Sequence, residues 1–208
     1  MLEDFYVDAV MKRFDALVPQ EGMFRQAAGY MADAVLAGGT VYVYDKEKSL
    51  MVDANTRASG LAITSNYYNM DYVLTTNDVL LISSIEPDDA GDIEKAKKVK
   101  SEGAKVVAFT STSIESREAR GTITAEIADV VLDNGSPEVS GICNAEGIGT
   151  FGPTTGVMND IIFWGLCAAF IDEMFSRGKT PSVYSGAHLP GGLELYHRAG
   201  ARRTELGY

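Results

Sequence analysis

The 208-residue chain has few cysteines and histidines, and it has no excess of positive charge. Cys143 and Cys167 are too far apart for a CxxC motif, and two histidines are too few for a conventional Cys/His zinc cluster. We therefore expect no bound metal and two buried thiols in a reducing cytoplasm. The formal net charge of -11 argues against binding to nucleic acid or to an anionic membrane surface.

Motifs for nucleotide cofactors and for membrane targeting are also missing. There is no GxGxxG after a strand and no GxxxxGK[ST], so we expect neither a dinucleotide nor any other cofactor. The most apolar segment, Ile161–Ile171, is about half as long as a bilayer-spanning helix. The N-terminus carries acidic residues where a signal peptide is basic, so no export signal and a cytoplasmic location are expected.

Strand and helix patterns alternate along the chain and predict an α/β fold, a three-layer α-β-α sandwich of the Rossmann-like, flavodoxin-like kind. Its central parallel sheet should have about five strands, and the length suits a single domain. The divisions are an N-terminal helical pair (1–38), an α/β core (39–178) and a C-terminal tail (179–208) with little periodicity. Strands are expected at Thr40–Tyr44, Leu61–Thr64, Val79–Ser83, Lys105–Thr110 and Val130–Leu132, and helices at 3–17, Met23–Leu36, 45–58, Ala90–Glu102 and 154–177.

Hydroxyl side chains cluster where the third and fourth predicted strands end. Ligands of open parallel sheets bind at the carboxyl ends of the strands, so these residues predict a site for a small polar molecule. The alternative is that they are ordinary turn residues, whose hydroxyls satisfy backbone groups. The loop 135–152 is long and rich in glycine, and we expect it to line the same site. The hydroxyl residues are Ser83, Ser84, Thr110, Ser111 and Thr112.

Several short motifs, in this order, resemble the SIS (sugar isomerase) family, close to the phosphoheptose isomerase-like proteins. They are LAGGTVYVYD, RASGLA, DVLLISS, KKVKSEGAKVVAFTST, IADVVLDNG, GPTTGVMNDIIFWGLCAAFIDEMFSRG and SVYSGAHLPGG. The resemblance covers nearly the whole chain and implies a sugar or sugar phosphate as the ligand. It also implies that hydroxyls, including Ser49, and backbone amides at helix starts hold that ligand.

Two loops depart from the family pattern. The first retains only Ser49, and the second has Glu86, Asp88, Asp89 and Asp92 where the family has small hydroxyl residues and glycine. We expect Asp88 or Asp89 to cap the following helix and to occupy the place of an anion. Two functions follow: a sugar isomerase-like protein that binds a sugar phosphate or related sugar, with phosphosugar isomerisation, or a non-catalytic sugar-binding or regulatory protein that has lost the phosphate cradle.

Isomerisation of an aldose to a ketose needs groups that remove and return protons beside a carbonyl. His188, in a glycine-rich turn, and Glu194 are the candidates for this role. The apolar residues of the helix at 154–177 lie on all its sides, and a sheet can cover only one of them. We therefore expect subunit packing, in a homodimer or homotetramer.

Overall fold

Apolar and β-branched runs form the strands of the central sheet. In this computed structural model, which describes residues 2–15, 17–56, 59–68, 72–112, 127–136 and 141–208, the five strands are parallel throughout. They are β1 (Val41–Asp45), β2 (Thr64–Asn66), β3 (Val79–Ser83), β4 (Lys105–Thr110) and β5 (Val130–Asp133). Their order is β2-β1-β3-β4-β5. A separate antiparallel hairpin consists of β6 (Cys143–Ala145) and β7 (Gly149–Phe151).

The helices cover both faces of this sheet. They are α1 (Leu2–Phe14), α2 (Glu21–Leu36), α3 (Ser49–Thr56), α4 (Ala90–Ser101), α5 (Thr155–Ser176) and α6 (Gly192–Leu206), with a 3-10 turn at Val18–Gln20. Every residue of β3 is buried, because alternate side chains enter two separate hydrophobic clusters. Leu81 packs in the cluster that contains side chains of α2, α3 and α5, and Ile82 packs in the cluster that contains those of α4.

The α-β-α sandwich with a parallel five-stranded sheet confirms the predicted fold class. The predicted bounds of β3 and β4 are identical to the observed ones. The prediction for the second strand is wrong, because β2 begins only at Thr64, and Leu61 instead forms an isolated antiparallel bridge with Val183. The C-terminal tail, whose sequence shows little periodicity, contains the 15-residue helix α6.

Both cysteines are buried and free, as expected. Burial raises the pKa of the Cys167 thiol to about 12, so this side chain stays protonated near neutral pH. Cys167 lies on α5, the one helix of the described residues that is long and apolar enough to cross a membrane by length and composition. Phe163, Leu166 and Phe170 of α5 are buried against the sheet and α2, which is typical of a core helix.

Candidate functional site at the carboxyl ends of the strands

The chain leaves β1 and β3 in opposite directions along the sheet, because β2 follows β1 on one side and β4 follows β3 on the other. Such a switch point opens a crevice at the carboxyl ends of the two strands, where ligands of this class of fold bind. The last residues of the two strands, Asp45 and Ser83, are register partners and lie at the floor of this crevice. The remaining site geometry is built around these two residues.

Asp45 organises the loop between β1 and α3. Its buried carboxylate accepts hydrogen bonds from the backbone N–H of Leu50 (2.8 Å), the hydroxyl of Ser49 (2.9 Å) and the backbone N–H of Glu47 (3.2 Å). The Asp45 carboxylate thereby binds the N–H of the second residue of α3, which begins at Ser49. The Ser49 hydroxyl therefore fixes the loop, while its residue stays exposed to solvent.

Asp89 is the residue that caps α4. Its Oδ1 accepts the backbone N–H of Asp92 at 3.0 Å, and its Oδ2 forms an ion pair with Nζ of Lys46 at 2.7 Å. The hydrogen bond from Lys46 lowers the pKa of Asp89, so this carboxylate is ionised near neutral pH. A helix start is the usual place for a bound anion, and here the side chain of Asp89 occupies it. The expectation that Asp88 or Asp89 caps the helix is confirmed, with Asp89 in that role.

Ser84 and Asp92 form a buried pair beside this cap. The Ser84 hydroxyl lies 2.7 Å from Oδ2 of Asp92 and 2.9 Å from the carbonyl oxygen of Glu86. Oδ1 of Asp92 is buried and has no hydrogen-bond partner among the described residues. Burial raises the pKa of the Asp92 carboxyl, and the hydrogen bond from Ser84 opposes this shift. Asp92 also faces a small crevice of about 50 Å³, lined by Lys46, Glu47, Ile85, Glu86, Asp89 and Asp92.

The Asp92→Asn variant should be more stable than the wild type near pH 7. A carboxyl whose pKa is higher in the folded state binds its proton more tightly there, so ionisation destabilises the fold as the pH rises from the ordinary value of 3.8 through the folded one. Asparagine cannot ionise and should not show this loss. Urea unfolding at about pH 4 and about pH 7 measures the difference, and Asp172→Asn, at an exposed position, is the control. An advantage of Asp92→Asn that is equal at both pH values would contradict the shift.

A chain of buried polar side chains connects the ends of β3 and β5 with α5. Asn159 donates to Ser83 (2.9 Å) and accepts from the side chain of Asn134 (2.9 Å). Asn134 in turn accepts the backbone N–H of Ser136, whose hydroxyl lies 2.8 Å from that of Thr154. All five residues are buried. This network was not predicted from the sequence, where its one signal is Asn159, a polar residue within the apolar helix α5.

Arg13 of α1 extends this network to the N-terminal helix. Its Nε donates to the Thr154 hydroxyl at 2.9 Å, and its Nη1 donates to the carbonyl oxygen of Gly135 at 2.8 Å. Gln20 makes a second long-range connection: its side-chain amide binds both the N–H (2.7 Å) and the carbonyl oxygen (2.8 Å) of Asp133. The N-terminal segment therefore holds the loop that follows β5, at the predicted site edge.

The end of β4 presents buried and exposed hydroxyls side by side. Thr110 is fully buried and its Oγ1 has no partner among the described residues, while Ser111 is 2% exposed. Thr112 is exposed and hydrogen-bonds through its hydroxyl and its backbone N–H to the carboxylate of Asp133.

The six predicted ligand-binding hydroxyl residues thus fall into two groups. Ser49 and Thr112 are exposed, whereas the others are buried beneath the sheet edge: Ser83, Ser84, Thr110 and Ser111. The structure brings the hydroxyls to one edge of the sheet, as expected for strand ends. Contact with a ligand stays a prediction for all six, and for the buried ones it requires an opening of the edge.

The two predicted proton-transfer residues lie elsewhere, around the start of α6. His188 is exposed in the turn that precedes this helix, and Glu194 is exposed in its first turn, 2.8 Å from Arg198. The helix itself is next to the edge strand β2, since Arg203 of α6 lies 3.5 Å from the Ser65 hydroxyl. A catalytic role for His188 and Glu194 stays a prediction. The loop 135–152, expected to line the site, contains the hairpin β6–β7, and its residues 137–140 lie outside the described residues.

Comparison with known proteins places these observations in a family and a fold. The family described as "Domain of unknown function (DUF2529)" matches residues 10–175. A UPF0309 protein of Brucella anthropi is 28% identical over 97% of this chain and 96% of its own, and a UPF0309 protein of Brucella canis is 27% identical over 93% of both.

Solved structures share the fold at low sequence identity. A Bacteroides fragilis protein, described as a candidate phosphosugar isomerase involved in capsule formation, superposes with a TM-score of 0.60 at 15% identity, over 96% of this chain and 97% of its own. The phosphoheptose isomerase of Neisseria gonorrhoeae superposes with a TM-score of 0.52 at 16% identity, over 81% of this chain and 94% of its own. The resemblance to the SIS proteins is thereby confirmed for the fold.

Proposed function

Since the chain belongs to the DUF2529 family and has the fold of the SIS proteins, we propose that it binds an unphosphorylated sugar or a related polyol at the carboxyl ends of its strands. This is the non-catalytic alternative of the two functions that the sequence suggested. It retains the site edge expected from the fold, but it changes the chemistry of the ligand.

This proposal depends on one observation: carboxylates, and not free backbone N–H groups, lie at the N-terminus of α4. The Asp89 carboxylate accepts the backbone N–H of Asp92, and the Asp92 carboxylate accepts the hydroxyl of Ser84, so these two donors are not available to a phosphate. A phosphate about 4 Å from one carboxylate would be repelled by about 4 kcal/mol per unit of its charge at an effective dielectric constant near 20. Lys46 compensates for the charge of Asp89, with which it is paired, but the other carboxylates that line the crevice stay uncompensated by it.

Carboxylates suit the hydroxyl groups of a sugar, because each ionised oxygen accepts hydrogen bonds and none donates. The crevice of about 50 Å³ has room for one such hydroxyl, since a water molecule in the liquid occupies about 30 Å³. Glu47 and Glu86 line this crevice and would accept that hydroxyl. In this proposal the sugar ring lies on the exposed rim and contacts Ser49 and Thr112, while the buried hydroxyl residues support the rim from beneath.

Phosphosugar isomerisation is the second candidate function, and the fold shared with a phosphoheptose isomerase favours it. In that case His188 or Glu194 would transfer the proton between carbon atoms, with the phosphate held away from α4. The exposure of both residues leaves them accessible to a ligand. The two candidates differ in the ligand they require, so binding separates them before any assay of turnover.

The proposed function predicts that neutral sugars, and not inorganic phosphate, bind next to α4. We expect saturable thermal stabilisation by at least one neutral sugar or polyol, and changes in the ¹H–¹⁵N signals of residues 46–49 and 84–93 on its addition. Inorganic phosphate should leave the signals of residues 89–93 in place, because Asp89 already occupies that helix start. Binding of phosphorylated sugars alone, with exchange of the proton at C2 that is lost in His188→Ala, would instead establish the isomerase.

The Asp89→Ser variant tests the central observation directly. Serine can still cap α4 but removes the negative charge, so inorganic phosphate should now shift the signals of residues 89–93. The matched control is Asp88→Ser, which changes the same charge in the same loop and leaves the observed cap intact. If phosphate already shifts these signals in the wild type to the same degree as in Asp89→Ser, the carboxylate does not block an anion and the proposal fails.

We also propose, as expected from the sequence, that the protein is a cytoplasmic homodimer or homotetramer. Exposed apolar side chains on α1, among them Phe5, Val7 and Met11, are each more than half accessible in the single chain. Burying such side chains against a second copy would gain about 25 cal/mol per Å² of apolar surface. Location and oligomeric state both stay predictions.

A further inference from the structure

A second cavity, of about 410 Å³, lies between α6 and the segment Pro181–Ser185. The segment is fixed to the chain before β2, because Ala62 donates to the carbonyl oxygen of Ser182 and Tyr184 donates to that of Gly60, each at 2.9 Å. Thr64, which opens β2, is the register partner of Val41 at the start of β1. The cavity therefore lies towards the amino ends of the strands, away from the crevice at Asp45 and Ser83.

The charge of this cavity is opposite to that of the whole protein. The chain has 29 acidic and 18 basic residues, yet the charged side chains that line the cavity are Arg198 and Arg202. These two arginines are spaced i, i+4 on α6 and so lie on the same face of the helix. Ser59, Tyr184, Ser185 and Leu195 are among the other residues that line it.

Both guanidinium groups have donors to spare among the described contacts. Arg198 donates from Nη2 to Glu194 at 2.8 Å, and Arg202 donates from Nη1 to the carbonyl oxygen of Thr180 at 3.3 Å. Each guanidinium carries five N–H donors in a planar fork that matches the oxygens of a carboxylate or phosphate. The side chains of Arg198 and Glu194 are both exposed, so water screens their ion pair. A ligand can therefore displace Glu194 from Arg198 at little cost in free energy.

We propose that this cavity is a second binding site, for a small organic molecule that carries an oxyanion, either a carboxylate or a phosphate ester. Arg198 and Arg202 bind the oxyanion, and the body of the ligand lies against Leu195 and the ring of Tyr184. The volume falls within the range of about 300 to 1,000 Å³ that small-molecule sites occupy, and it exceeds what a bare ion fills. This site is independent of the proposed sugar site, since the two share no lining residue.

The test uses inorganic phosphate and citrate as probes, with sodium chloride at matched ionic strength. At least one probe should shift the ¹H–¹⁵N signals of residues 182–185 and 195–202 saturably. In Arg198→Gln/Arg202→Gln the affinity should fall by about tenfold or more, because charge-assisted bonds to both guanidinium groups are lost. A stronger response to phosphate or to citrate identifies which oxyanion the site prefers.

Arg25→Gln is the matched control, because Arg25 also forms an exposed i, i+4 pair, with Glu21 on α2. Its affinity for the probes should equal that of the wild type. The single variants Arg198→Gln and Arg202→Gln, checked for native helix content, serve if the double variant does not fold. The proposal is overturned if neither probe gives a saturable shift in the wild type, or if folded arginine variants bind as tightly as Arg25→Gln.

Discussion

Replacing Asn159 by leucine is expected to destabilise the protein by about 2 to 4 kcal/mol. Leucine has nearly the same shape but neither donates to Ser83 nor accepts from Asn134, and both of these partners are buried. The side-chain NH2 group of Asn134 is buried and would lose this acceptor, while its Oδ1 keeps the N–H of Ser136. Urea unfolding monitored by circular dichroism measures the change in the free energy of unfolding.

Asn144→Leu provides the comparison for this prediction. Asn144 is exposed on β6, so its replacement should change stability by about 0.5 kcal/mol or less. Equal effects of the two replacements would show that the buried network contributes nothing to stability. A large loss confined to Asn159→Leu would show that the network holds α5 against the ends of β3 and β5.

Asp45→Ala should also cost about 2 to 4 kcal/mol, because three groups lose one shared acceptor at the start of α3. The N–H of Leu50 is buried and has no water to replace the carboxylate, so its loss dominates the effect. The same change should remove binding of a neutral sugar, because the loop that carries Ser49 and Glu47 loses its fixed shape. Unfolding in urea and titration with the sugar check the two effects separately.

Two further variants separate the contributions of the three hydrogen bonds of Asp45 to stability. Asp45→Asn keeps one acceptor oxygen and should lose less stability than Asp45→Ala. Ser49→Ala removes one of the three hydrogen bonds and should lose least, since its residue is exposed. If Asp45→Ala is no worse than Ser49→Ala, the carboxylate does not organise this loop.

The central strands were predictable because each is an uninterrupted apolar run between polar boundaries. Their apolar residues, Val79–Ile82 and Val106–Phe109, are buried from both faces, and one or two polar residues at the ends complete each strand. The edge strand β2 was misplaced, because its paired residues, Thr64–Asn66, are polar while the apolar residues before them are buried without joining the sheet. A pattern based on hydrophobicity selects the wrong residues in that case.

The C-terminal helix α6 was not predicted, for a related reason. Charged residues are spread along it and only Gly192 and Ala199 of its residues are buried, so its overall apolar content is low. The cap by Asp89 was predictable because helix caps are local, involving residues three positions apart. The contact between Ser83 and Asn159 joins residues 76 positions apart, and no local pattern in the sequence specifies it.

The two hydrogen bonds between the Gln20 side chain and the Asp133 backbone affect the tendency of the protein to aggregate at high concentration. In the described part of the chain β5 is the last strand on its side of the sheet, so its outward N–H and C=O groups could pair with a strand of another molecule. The amide of Gln20 satisfies both of these groups at Asp133, much as a neighbouring strand would. At this end of β5 the Gln20 side chain thus blocks the edge-to-edge pairing that leads to aggregation.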